Sequence, residues 1–201
     1  MLRSGGKLPS ESVKFALDLL NAELTQIAEN AHNVGDQARG FVYGHSTDRF
    51  NSRGCHHFAG DVALEAIGLL TQLKEFRTWH TAQTQAGNAH LARLPLTSLR
   101  IGQRLPSWGK DSPISFDEST MTVIAQIKTL ESLELTEARL STKIIPQLKA
   151  LPKLTKLKIQ TVDIPAADVE AIKAALPNCK VDFEPMSDAD KEATLVKKLR
   201  L

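Results

Sequence analysis

Two cysteines, one tyrosine and a formal net charge of only +2 are what this 201-residue chain has least of, and each shortage narrows its function. Cys55 and Cys179 lie far apart and match no C-x-x-C spacing, so neither a disulfide framework nor a zinc knuckle is encoded. With 25 Lys and Arg against 23 Asp and Glu, the surplus is too small to signal a concentrated basic field. That argues against a nucleic-acid or membrane partner. The densest basic stretch, Lys143, Lys149, Lys153, Lys156 and Lys158, lacks interleaved aromatics and reads as a solvated surface. No run of about 18 apolar residues is available to cross a membrane. The opening MLRSGGKLPSES also lacks the apolar core of a secretory signal. The expected compartment is the cytoplasm, although a mature exported form restarted at Met1 would read the same way.

What the chain has is leucine at a fixed period. Leu130, Leu133, Leu135 and Leu140 recur as Leu154, Leu157, Ile159 and Ile164, each displaced by 24 residues. A period of that length signals a solenoid, in which no unit buries its apolar face alone and neighbours must stack. The 42% hydrophobic content is enough to fill such a core.

The same phase extends outward from this pair of units. Leu73, Phe76 and Thr78 form an earlier rung, and Leu96, Leu99 and Ile101 the next. Cys179, Val181 and Phe183 close the series after a one-residue contraction, which puts Cys179 in a core leucine position. Residues 40–44, GFVYG, are aromatic and β-branched between glycines and read as the first rung, with Phe41 in the position of Phe76. Asp61 is the expected N-cap of a helix over VALEAIGLL, and Pro146 and Pro165 sit where helices begin without a backbone N–H. A stripe of Val13, Ala16, Leu17, Leu20, Leu24 and Ile27 after Ser10 predicts a helix that covers the first open edge. SDADKEATLVKKLRL, acidic at its start and basic at its end, predicts a closing helix. The expected domains are a helical cap over 1–38, about six rungs over 39–185, and a helical cap over 186–201.

With LESLEL, LTKLKI and LPNCKV aligned, residues 64–183 resemble bacterial leucine-rich-repeat proteins of the short, ribonuclease-inhibitor-like kind. The resemblance implies an α/β fold, a right-handed βα superhelix with parallel strands on its concave face. It also implies protein or peptide binding on that face, with no shared catalytic residues. The chain departs from the pattern where asparagine normally follows the LxL core: Thr81, Arg104, Ala138 and Val162 stand there.

Counted from Phe41 to Val181, the strand positions are spaced by 35, 23, 34, 24 and 24 residues, so rungs one and three carry insertions. Insertions at one phase emerge on one edge, here the carboxyl ends of the strands. His45, Arg53, Cys55, His56 and His57 lie in the first insertion, Arg104 and Trp108 in the second, and Trp79 and His80 end rung two. Tryptophans beside guanidinium groups suit an anionic or aromatic ligand. Alternate strand positions Arg77, Arg100, Glu134, Lys158 and Asp182 form an outward row in which the last three alternate in sign and the first two repel.

These residues support a non-enzymatic scaffold for an unidentified, acidic protein or peptide, without a cofactor. The binding residues would be Arg77, Trp79, His80, Arg100, Arg104, Trp108, His45 and Arg53, with Trp79 and Trp108 as anchors. A competing reading makes Cys55, His56 and His57, with His45 or His80, a metal-binding or hydrolytic site. Adjacent histidines rarely both reach one tetrahedral ion from a short loop, which weighs against it. A third reading is a structural module of a larger multidomain protein.

Overall fold

The computed structural model describes residues 49–51, 61–68, 73–79, 83–104 and 114–201. All belong to one compact unit, Ser46–Leu201. The helix expected after Ser10 and the strand expected over 40–44 lie outside the described residues.

Leucine spacing becomes register in a single parallel sheet. Strands β1 (Arg49–Asn51), β2 (Glu75–Thr78), β3 (Ser98–Ile101), β4 (Ser132–Arg139), β5 (Lys156–Asp163) and β6 (Lys180–Glu184) lie side by side in chain order. Phe76, Leu99, Leu133, Leu157 and Val181 are successive cross-strand partners. The period-2 alternation of a strand then sends Phe76, Leu99, Ile101, Leu133, Leu135, Leu157 and Ile159 into the core.

Helical segments return the chain between strands: α1 (Asp61–Ile67), α2 (Gln85–Asn88) running into a 3₁₀ turn Ala89–Arg93, α3 (Thr120–Ile124), α4 (Ile145–Lys149) and α5 (Ala166–Ala175). Their apolar residues, among them Leu64, Leu91, Ile124, Leu148 and Ile172, join the same core. Pro146 lies in the first turn of α4 and Pro165 caps α5, so both prolines start helices as their missing N–H predicts. At the amino ends of the strands the carbonyls of Lys74, Thr97 and Glu131 each accept two N–H groups from the following unit, at 2.8–3.0 Å. This pins the stacking register from β2 to β5.

Where an asparagine ladder is missing, β4 and β5 bend. Glu137 (φ 57°) and Thr161 (φ 55°) adopt the left-handed conformation at equivalent places, and the bend turns Ala138 and Val162 inward as buried cross-strand partners. Small apolar side chains thus fill the slot that a polar ladder would otherwise occupy.

Two expectations need correction, and the closing helix takes a place that the sequence did not predict. The strand paired with β2 is Arg49–Asn51, so Phe50 and not Phe41 holds the first-rung position. Phe50 precedes Phe76 by 26 residues, close to the base period, and the long insertion expected after rung one shrinks to about two residues. Asp61 starts α1, but its carboxylate is spent on the next unit, accepting from the backbone N–H and hydroxyl of Thr84 at 2.7 and 2.6 Å. The closing segment forms a short helix, α6 (Asp188–Asp190), that continues as a π-helix over Lys191–Lys198. It packs against β4, two strands in from the β6 edge, buries Leu195 and Leu199, and ties Lys191 to Asp163 at 3.2 Å.

Candidate binding face and rim

The outward row forms as its spacing predicts. Arg77, Arg100, Glu134, Lys158 and Asp182 are cross-strand neighbours on five consecutive strands. Glu134 stands between two cations, 3.5 Å from Arg100 Nε and 3.6 Å from Lys158 Nζ. The Arg100 guanidinium carbon lies over the Trp79 ring, 3.9 Å from its centroid. Stacking and ion pairing together fix a long side chain that would otherwise sample many rotamers. Trp79 itself is only 6% exposed, so its indole is a platform under Arg100 rather than an anchor offered to a partner. Gly102 permits this packing: a Cβ there would stand 3.0 Å from Trp79 Cβ and 2.5 Å from Thr136 Cγ2.

At the carboxyl ends of β2 and β3 a buried hydrogen-bond chain holds the base of the second insertion. Thr78 donates to Gln83, Gln83 Nε2 donates to Asn88 Oδ1 at 2.8 Å, and Asn88 Nδ2 donates to the Ser115 carbonyl at 2.5 Å. Gln103 closes the chain: its Oε1 accepts from the backbone and hydroxyl of Ser115 at 2.7 and 2.8 Å, and its Nε2 donates to the Phe116 carbonyl at 3.0 Å. Gln85 and Asp117 add an outer tie at 3.0 Å. Each of these four buried polar side chains, Gln83, Asn88, Gln103 and Ser115, has a partner, as burial demands.

Arg104 leaves this network from the insertion's first turn. Its backbone N–H donates to Ser115 Oγ at 2.9 Å, while the residue is 5% exposed and its Nε has no hydrogen-bond partner. Burial pushes the guanidinium below its ordinary pKa, opposed by the negative charge of Asp61.

The structure therefore brings Arg77, Trp79 and Arg100 together and sets Arg104 at the adjoining rim. His45, Arg53, Cys55, His56, His57, His80 and Trp108 lie outside the described residues. His45 precedes β1 in the chain, whereas the spacing predicts a place after the first strand. Among the described residues no group of three His, Cys, Asp or Glu side chains is placed to hold a metal ion. Among them, too, no helix is long and apolar enough to cross a membrane. Cys179 is half-buried against the core edge, where burial raises its thiol pKa.

Reasoning from sequence missed Gln83, Asn88, Gln103 and Ser115. One signal for them was present: Thr78 occupies the inward slot that Ile101, Leu135 and Ile159 hold in later units, and a hydroxyl there needs a buried partner.

No protein-family model and no curated protein matches the chain. Among solved structures, a leucine-rich-repeat protein of Leptospira interrogans is similar at 20% sequence identity and a TM-score of 0.35. The likeness covers 59% of this chain, which spans 27% of that protein's length.

Proposed function

We propose that this chain is a leucine-rich-repeat solenoid acting as a non-enzymatic scaffold, and that it binds an acidic protein or peptide segment across the outward strand face. The observation that carries the reading is the register of Arg77, Arg100, Glu134, Lys158 and Asp182, which sets three cations and two anions in one row on rigid strands. Charged groups fixed on a sheet select a complementary partner at low entropic cost, because their geometry is already set before binding. The two guanidinium groups lie at one end of the row, and Trp79 holds one of them in place. An extended acidic segment crossing β2 and β3 would meet both forks, each suited to bidentate contact with a carboxylate.

The test is a peptide array of acidic, neutral and basic sequences probed with the wild-type chain and with Arg77→Glu/Arg100→Glu. The wild type should select acidic peptides, and the double reversal should weaken them by about 100-fold, at roughly tenfold per hot-spot arginine. Circular dichroism of the variant should match the wild type. Equal binding by a folded double variant, or no acidic selection by the wild type, removes the proposal.

A further inference from the structure

The rim holds a cation that the described residues do not neutralise. Arg104 stands three residues beyond Ile101, as Ala138 stands beyond Leu135 and Val162 beyond Ile159, and in those later units the position is apolar and fully buried. The packing of this repeat thus asks for a small hydrophobe where the chain places a guanidinium. Burying such a group without a counterion is costly, and removing water strengthens its attraction for an anion. Among the described residues the acid whose charge acts on it, Asp61, forms no ion pair with it and has both carboxylate oxygens committed to Thr84. Nε of Arg104 is buried without an acceptor, while the polar neighbours Gln103, Ser115 and Asn88 are all engaged with one another.

We propose that Arg104 is the binding group of a carboxylate site at the carboxyl-end rim of β3, where one singly charged carboxylate from outside the chain completes the guanidinium. The planar fork offers two parallel donors to such a group. A single negative charge is favoured over a phosphate dianion because Asp61, close enough to act on Arg104, repels the second charge. The site does not depend on peptide binding across the outward face.

The experiment is thermal unfolding of the full chain in sodium acetate, sodium phosphate and sodium chloride at equal ionic strength, for wild type, Arg104→Gln and Arg104→Lys. Acetate should raise the wild-type Tm by about 3 °C over chloride. Arg104→Gln should show no acetate response and a Tm in chloride at or above the wild type, because an uncompensated charge has been removed. Arg104→Lys keeps the charge and loses the fork, so it should fold and respond more weakly, which preserves the test if Arg104→Gln fails to fold. Titration with acetyl-hexaglutamate amide and its glutamine counterpart then separates the sources. Arg104-dependent binding of the first alone puts the carboxylate on a peptide; a response to acetate alone marks a free small acid. Since phosphate stabilises folded chains non-specifically, each salt is read as the wild-type response minus that of Arg104→Gln; the site is refuted if that difference is zero for acetate or is larger for phosphate than for acetate.

Discussion

At the scale of the residue, this fold turns on how closely neighbouring units approach, and Gly102 sits at one of the tight places. An added Cβ would fall 2.5 Å from Thr136 Cγ2 and 3.0 Å from both the Thr136 carbonyl and Trp79 Cβ. Gly102→Ala should therefore cost about 1–3 kcal/mol by overpacking, read as a lower urea midpoint with an unchanged slope. Because the worst contact is one methyl, Thr136→Ser in the same chain should recover part of the loss, and additive effects of the two changes would exclude this mechanism. Glycine at that position carried no sequence pattern of its own, since the leucine phase says where side chains point and not how near the next strand comes. The missing asparagines were legible, but their structural consequence was not. Glu137 and Thr161 accept a conformation unusual for side chains of their kind so that Ala138 and Val162 can turn inward.

At the scale of the element, apolar period and polar anchoring differ in how far they can be read. Strands β2 to β6 follow from the spacing of Phe76, Leu99, Leu133, Leu157 and Val181, because a period-2 strand in a fixed repeat has one solution that buries them all. The extra length after β3 was visible as well, as a 34-residue step between Leu99 and Leu133. Its anchoring was not, because Gln103 holds Ser115 and Phe116 through four polar contacts, two to each, that follow no repeat. Gln103→Leu keeps the side-chain volume and removes those contacts, leaving the N–H groups of Ser115 and Phe116 buried without an acceptor. At about 1–3 kcal/mol for each unsatisfied group, a loss of roughly 3 kcal/mol is expected. Hydrogen exchange locates the damage: Ser115 and Phe116 should lose protection while β5 and β6 keep theirs. Uniform loss across the sheet would mean that the insertion's anchoring is not a separate element.

At the scale of the molecule, sequential strand order makes stability a chain of nearest-neighbour contacts, each unit leaning on the next. The first unit shows how local propensity misleads in such a chain. GFVYG reads as the better strand, yet RFN pairs with β2 because Phe50 stands nearly one period before Phe76. Stacking rewards phase over composition. The closing segment breaks the nearest-neighbour rule, since its π-helix packs on β4 and ties to Asp163 at the end of β5. Leu195 and Leu199 lie four residues apart on one face of it and are 0% and 3% exposed. Lys191, bridged to Asp163, adds an ionic tie whose partner also faces Arg139 at 3.7 Å. Leu195→Ala should then do more than fray an end. A buried leucine truncated to alanine costs about 2–5 kcal/mol. If the helix clamps units four to six into one cooperative block, that cost should appear as a lower Tm for the main transition. An unshifted main transition with a separate early step near the carboxyl terminus would show instead that the helix is a detachable appendage, and that the array holds together through strand stacking alone.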